Sequence, residues 1–375
     1  MTGVSEGMTN RERMRAAIAR RPVDRIPVND SFWDETLANW QSEGHMPQDV
    51  SAKDFFGFEW QLVHFDSGFL FEAGGIDDNA SHVVRRDTYG ATGRFQKNRS
   101  APAQMLDYPV KTRADWEALR ERMHWSPDRF GLHGFYAFTP FWRPLETDWA
   151  SKARAYARLR ASQDYIVLYV YDAFESTWRR MGHERALVAL LEDPAWMREM
   201  FEAQIDLLID SYGAMMDLGV VVDGFFMASD LALKTGPMFS PRLHRELCCP
   251  ALGRLTAFLH ANDVQLIFHC DGDFRPLIPN LIEAGVDCIQ PLEVHAGMDV
   301  RQLKSEYGDD LSFMGNIGHD EMLLPDAELQ RLIADKISIA ARGGGYLYHS
   351  DHSVAPDIPF AQYTKVLDMV RSLQV

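Results

Sequence analysis

Val264-Gln-Leu-Ile-Phe-His-Cys-Asp-Gly-Asp273 is a short, mostly apolar run that ends in potential ligands. Gln265 to Phe268 lie between polar positions and read as a buried strand. Side chains alternate across a strand, so His269 and Asp271 are expected on one face and Cys270 on the other. Catalytic groups gather at the C-terminal strand ends of parallel α/β sheets and barrels. The alternative is a loop His and Asp that only cap the next helix.

Outward from this stretch the pattern repeats. A helix over 241–261 precedes it and a helix over 274–284 follows. Strand Val286 to Gln290 ends at Pro291-Leu-Glu293, and strand Leu311 to Met314 ends at Gly315-Asn316-Ile-Gly-His319. The last strand, Tyr346 to Tyr348, ends at His349-Ser-Asp-His352. Upstream, strands are expected over 165–171 and 220–227, with helical sequence between them. Two more strands are expected near 26 and 60, and a hairpin over 83–95. Strands alternating with helices of about ten or more residues indicate parallel βαβ units. About eight such strands fit an α/β fold of the (β/α)8 TIM-barrel type. The chain, at 375 residues, exceeds the usual length, so an N-terminal helical extension from about Asn10 and insertions are expected. With no internal repeat or clear linker, residues 1–375 read as one elaborated domain.

Composition narrows the function classes. The net charge of −16, from 38 basic and 54 acidic residues, argues against a nucleic-acid or anionic-membrane surface. No apolar run approaches the ~18 residues of a membrane span. The opening Met1-Thr-Gly-Val-Ser-Glu-Gly7 does not resemble a signal peptide. Cys248, Cys249, Cys270 and Cys288 form neither a C-x-x-C pair nor a disulfide framework. A cytoplasmic location is expected.

In a barrel the strand ends converge on one mouth. Those ends carry Asn29 and Asp30, Tyr171 and Asp172, Ser229 and Asp230, His269 and Asp271, Glu293, Asn316 and His319, and His349, Asp351 and His352. Histidines and carboxylates from several strands make a metal site or an acid/base site. A His-x-Asp pair, a carboxylate from the next strand and a His from the last supply two nitrogen and two oxygen ligands. That set suits zinc, or iron or manganese if positions stay open.

Several stretches resemble the uroporphyrinogen decarboxylase superfamily, which includes cobalamin-dependent methyltransferases. They are Arg11-Glu-Arg-Met-Arg-Ala-Ala-Ile18, Pro22-Val-Asp-Arg-Ile-Pro-Val28, Phe268-His-Cys-Asp-Gly-Asp273, Gln290-Pro-Leu-Glu293, Met314-Gly-Asn-Ile317 and Tyr348-His-Ser-Asp-His-Ser-Val-Ala-Pro356. The resemblance implies a TIM barrel with its active site at the mouth. True decarboxylases carry arginines after the first strand to hold a polycarboxylate. Here no arginine stands between Arg25 and Arg85, and Lys53 is the one Lys or Arg there. Such a substrate needs cationic partners, so the methyltransferase branch is the closer match.

That branch carries a zinc site made of a His-x-Cys pair, an acidic residue and a later Cys. On the matching positions this chain has His269, Asp271 for the first Cys, Glu293, and His352 for the second Cys, in His352-Ser-Val-Ala-Pro356. Loss of both thiolates hardens the site and points away from thiol activation, towards Lewis-acid work on an oxygen-bearing substrate.

The expected metal ligands are therefore His269, Asp271, Glu293 and His352, against a hydrogen-bonded polar cluster that orders the mouth. Asp230, His349 and Asp351 are the candidate catalytic groups; Asp230 could equally be an N-cap, and His349 and Asp351 could orient the ligands. Asn29, Trp33, Asn316 and Phe138 are candidate substrate contacts, with helix capping the alternative for Asn316. Phe32, Trp60 and Trp142 could join them or belong to the core.

The expected activity is a metal-dependent methyltransferase or O-demethylase. It would move a methyl group from a small methylated compound, a methoxylated aromatic among the options, to a corrinoid protein. The cofactors would be zinc or another divalent metal, and a corrinoid on the partner; the resemblance also allows a homodimer. The alternatives are a decarboxylase of a small carboxylate or porphyrin-like substrate, with Asp230 or Asp30 as proton donor, and a non-catalytic ligand-binding barrel.

Overall fold

The computed structural model describes residues 7–97, 103–132 and 148–374. Seven strands run parallel and pair in chain order: Trp60–Phe65, Tyr165–Tyr171, Gly224–Ala228, Gln265–His269, Cys288–Gln290, Ser312–Met314 and Tyr346–Leu347. Their residues are almost all buried, as strands covered on both faces require. Phe130–Gly131 adds a short antiparallel pairing on the end of the Trp60–Phe65 strand.

Residues around Val28 close the ring. Val28 bridges Tyr348 in parallel. The Asn29 N–H donates to the Tyr348 carbonyl at 3.1 Å, and the Tyr348 N–H to the Pro27 carbonyl at 2.8 Å. On the opposite side a side chain replaces the backbone ladder. Asn29 Oδ1 accepts from the N–H groups of Glu59 and Trp60 at 3.0 and 2.9 Å, and Glu59 Oε2 accepts from the Val28 N–H at 2.6 Å. The fold is the expected TIM barrel, with its first strand reduced to this bridge.

The helix Asn10–Ile18 plugs the bottom. Thr9 and Glu12 form a capping box at its start. Met14, Ala17 and Ile18 pack on Trp60, Tyr165, Val167, Phe226, Ile267, Cys288, Met314 and Leu347, the inward layer of the strands. The opposite, C-terminal ends of the strands are therefore the open mouth. Cys270 points outward into the layer between strands and helices, as alternation requires.

The expected hairpin is the middle of a four-stranded antiparallel meander, Gly74–Asp78, His82–Arg86, Thr92–Gln96 and Gln104–Asp107. It is inserted after the Trp60–Phe65 strand, on the mouth side. Its turn is held by Asp66, whose Oδ1 accepts from the Thr88 hydroxyl at 3.0 Å.

Other elements also differ from expectation, and three have a local reason. The helix expected over 241–261 contains a π-helical turn, His244–Cys248. Pro250 has no N–H to continue the ladder, and the turn absorbs the defect. The helix expected over 274–284 begins as a 3-10 turn, Arg275–Leu277, and becomes α-helical at Ile278–Glu283, since Pro276 and Pro279 fall within it. The strand expected from Val220 starts at Gly224. The Asp223 N–H still pairs with the Ile166 carbonyl at 2.8 Å, but its carboxylate is drawn to Arg11 and Arg160.

Candidate active site

Strand alternation sends His269 inward at the mouth end of Gln265–His269, and Asp271 follows on the loop. The loop turns sharply at Gly272, with φ +80°; a Cβ there would sit 2.7 Å from the Leu233 carbonyl oxygen. Glycine therefore lets this loop close on the hairpin that follows Asp230.

Asp230, His269 and Asp271 form the tightest group. One ligand atom from each lies within 4.8 Å of the other two. His269 Nε2 is 3.9 Å from Asp230 Oδ1 and 3.9 Å from Asp271 Oδ1. Bonds of about 2 Å to one tetrahedral ion would leave ligand atoms about 3.3 Å apart, so a small closure would bring these three donors onto one ion. His352 approaches from the last strand's loop, with Nδ1 3.7 Å from Asp271 Oδ1 and Nε2 3.7 Å from Glu293 Oε2. The four expected ligands thus meet, but not as one compact quartet. Asp271 joins the two imidazoles, and Glu293 is drawn aside by the Gly272 N–H, which donates to its Oε2 at 2.8 Å.

Two features suit this group to a cation. Asp271 Oδ1 is shielded from solvent and has no hydrogen-bond donor among the described residues. Gln290, the register partner of His269 on the next strand, turns its side-chain oxygen on His269 Nδ1. An acceptor there keeps the proton on Nδ1 and leaves the Nε2 lone pair facing the carboxylates. Zinc or another divalent ion would fit such nitrogen and oxygen donors.

The electrostatics follow from crowding. Burial pulls the His269 imidazole down, but Asp271, Asp230 and Gln290 outweigh it, and the net shift is upward. The Asp230 carboxyl is pushed up by its enclosure and by Asp271, against the pull of His269, although 47% of its side chain still meets solvent. Its backbone is anchored by Glu175, whose Oε2 accepts from the Asp230 N–H at 3.3 Å. Glu175 in turn pairs with Arg179 at 2.6 Å.

The remaining expected residues divide. Asp351 is buried and accepts from the Val294 N–H at 3.0 Å, tying the loop after Glu293 to the loop of His352. His349 faces the interior with Nδ1 2.6 Å from the Ser350 carbonyl and 3.5 Å from Asp30. Asn29 is spent on ring closure. Asn316 caps a helix: its Oδ1 accepts from the N–H of Val300, which opens Val300–Tyr307, and its Nδ2 donates to the Leu292 and Met298 carbonyls. Neither carboxamide is brought to the group of Asp230, His269 and Asp271. Trp33 is 39% exposed at the rim, and its N–H donates to the Val354 carbonyl. Phe32 packs among Trp40, Phe56, Phe58 and Tyr363, and Trp60 lies in the barrel floor. Phe138 and Trp142 lie outside the described residues. Gln290 and Glu175 received no role from the sequence. The available signal for Gln290 was a polar residue ending a strand in register with His269.

The uroporphyrinogen decarboxylase (URO-D) family model matches residues 178–373. No curated protein matches the sequence. Among solved structures, a methyltransferase from Methanosarcina mazei aligns over 97% of this chain and 98% of its own, at 14% identity and a TM-score of 0.63. At that identity the likeness speaks for the fold. A D-psicose 3-epimerase aligns over 61% of this chain and 76% of its own, at 10% identity and a TM-score of 0.29. That score carries no argument. No helix among the described residues is long and apolar enough to cross a membrane.

Proposed function

Because the chain belongs to the uroporphyrinogen decarboxylase family, we propose that its barrel mouth is a metal centre that activates a small methylated compound for transfer of the methyl group to a corrinoid protein. The carrying observation is the convergence of Asp230, His269 and Asp271 within 4.8 Å. His269 Nε2, Asp271 and Asp230 would hold zinc or another divalent ion, with His352 as the fourth ligand and Glu293 held beside the shell by the Gly272 N–H. When bound, the metal supplies a Lewis acid for the oxygen that leaves with the rest of the donor.

The chain's own residues do the positioning. Gln290 fixes the His269 tautomer. Glu175 and Arg179 hold the backbone at Asp230, and Asp351 holds the backbone beside Glu293. His349 lies deeper in the mouth as a candidate proton carrier. Trp33 stands at the rim as a substrate contact. A corrinoid-bearing partner would approach at the C-terminal ends of the strands. Residues 1–375 would act as one barrel domain.

The test is elemental analysis of the purified protein after zinc loading, beside His269→Ala. About one zinc per wild-type chain, lost in the variant, is the expected result. Equal and negligible metal in both overturns the metal centre.

A further inference from the structure

At the end of the barrel opposite the mouth, a cavity of about 400 Å³ has Arg20, Lys304, Arg342, Glu306, Asp309 and Gly343 in its walls. Three segments remote in the chain supply the cations. Arg20 follows the helix Asn10–Ile18, Lys304 lies in the last turn of Val300–Tyr307, and Arg342 follows the helix Asp326–Ala340. Each complements the C-terminal dipole of its own helix, but that effect does not bring them to one cavity. The run Gly343-Gly-Gly345 does. Its φ angles are +75°, +95° and +87°, a course that glycine follows readily. A Cβ on Gly345 would lie 3.3 Å from both Arg20 Cγ and Lys304 Nζ, so the missing side chain lets these two stand together.

The cations are not neutralised where they stand. Lys304 Nζ donates to the Gly344 carbonyl at 2.7 Å, and none of the three forms an ion pair with a carboxylate of the described residues. Burial pulls the Lys304 ammonium down, Asp309 supports it from beyond ion-pair distance, and Arg20 opposes it. Arg20 itself is held at φ +56°. The Arg21 N–H returns to the Ala16 carbonyl at 2.8 Å, closing the helix in the way that normally puts glycine at residue 20. The chain thus keeps an arginine in a conformation unfavourable to it, at the wall of the cavity.

We propose that this cavity binds a small hydroxyl-bearing phosphate monoester, its phosphate held by Arg20, Lys304 and Arg342 and its hydroxyls met by Glu306 and Asp309. Guanidinium groups match phosphate oxygens in both geometry and charge, and the ammonium adds a point charge. The carboxylates accept from hydroxyl groups and would repel a second phosphate. The volume lies within the range of sites for small organic molecules. The site does not rest on the metal centre, because the packed floor around Met14, Ala17 and Ile18 separates the two.

The test titrates the zinc-free, full-length protein calorimetrically with glucose 6-phosphate, inorganic phosphate and glucose. Wild type is expected to bind one glucose 6-phosphate per chain, inorganic phosphate more weakly, and glucose not measurably. Arg20→Gly and Arg342→Gln are each expected to weaken glucose 6-phosphate about tenfold or more. Arg20→Gly also relieves the left-handed residue, so its urea midpoint is expected to hold or rise, which separates lost binding from lost folding. If its midpoint falls instead, the exposed Arg342→Gln variant decides. His269→Ala is expected to bind glucose 6-phosphate as wild type does. No saturable binding of glucose 6-phosphate to wild type, undiminished binding by the arginine variants, or loss of binding in His269→Ala overturns the site. Inorganic phosphate or glucose binding as tightly as glucose 6-phosphate overturns the assigned ligand class.

Discussion

His269 and Gln290 are register partners on adjacent parallel strands, and the Gln290 carboxamide oxygen lies against His269 Nδ1. That contact selects which imidazole nitrogen is free to bind. Removal of an outer hydrogen bond of this kind costs about 10- to 100-fold in metal affinity. Gln290→Leu should therefore weaken zinc by that factor, measured by competition with a chromophoric chelator, with the melting profile retained. Unchanged affinity would mean that the tautomer is set elsewhere.

Asp230 and Glu293 make opposite predictions. Asp230 belongs to the compact group, whereas Glu293 Oε2 is already engaged by the Gly272 N–H at 2.8 Å. Asp230→Asn should lower zinc affinity more than Glu293→Gln in the same titration. The reverse order would restore the quartet expected from the sequence, with Glu293 as a direct ligand.

Metal uptake should depend on pH. The metal-free His269 imidazole is protonated to a higher pH than an ordinary histidine, because Asp271 and Asp230 outweigh the effect of its burial. Zinc must displace that proton. Affinity should therefore fall as pH drops through the histidine range and rise above it. Titrations in buffers of different ionisation heat would count the released proton; none released near neutral pH would contradict the assignment.

Asp172 makes stability pH-dependent in the other direction. It caps the helix Ala173–Met181, and burial pushes its carboxyl up to about 7. The folded state then holds a proton that the unfolded chain releases near pH 4, so its contribution to stability declines as pH rises from about 4 to 7. Asp172→Asn keeps a capping side chain and removes the titration. Its stability relative to wild type should improve between pH 5 and 7 by up to about 2 kcal/mol, read from urea unfolding at both pH values.

Asn29→Ala should act on stability rather than on metal. It strips the acceptor from two buried N–H groups, those of Glu59 and Trp60. At about 1–3 kcal/mol for each orphaned donor, a loss of about 2–6 kcal/mol is expected in urea unfolding. Zinc per folded chain should stay at the wild-type value.

The barrel was legible because each strand carries its own local signal. Tyr165–Tyr171 is apolar and aromatic throughout, and Asp172 follows as a helix cap. The Pro250 π-turn and the Pro276 and Pro279 break were also in the sequence, as residues without an N–H, although their exact effect depends on the packing around them. The Val28 strand was expected as an ordinary strand. Its reduction to a bridge, with Asn29 replacing a ladder, is a contact across the ring, and no local pattern encodes it.

At the mouth, the sequence by itself determined which residue types stand at the strand ends: His269 and Asp271 in one stretch, Glu293 and His352 in others. Strand periodicity and chain order suffice for that. Only the tertiary structure decided how they group, because grouping depends on distances between segments remote in the chain. It drew Glu293 to Gly272, brought Asp230 to His269, and set Gln290 behind the imidazole.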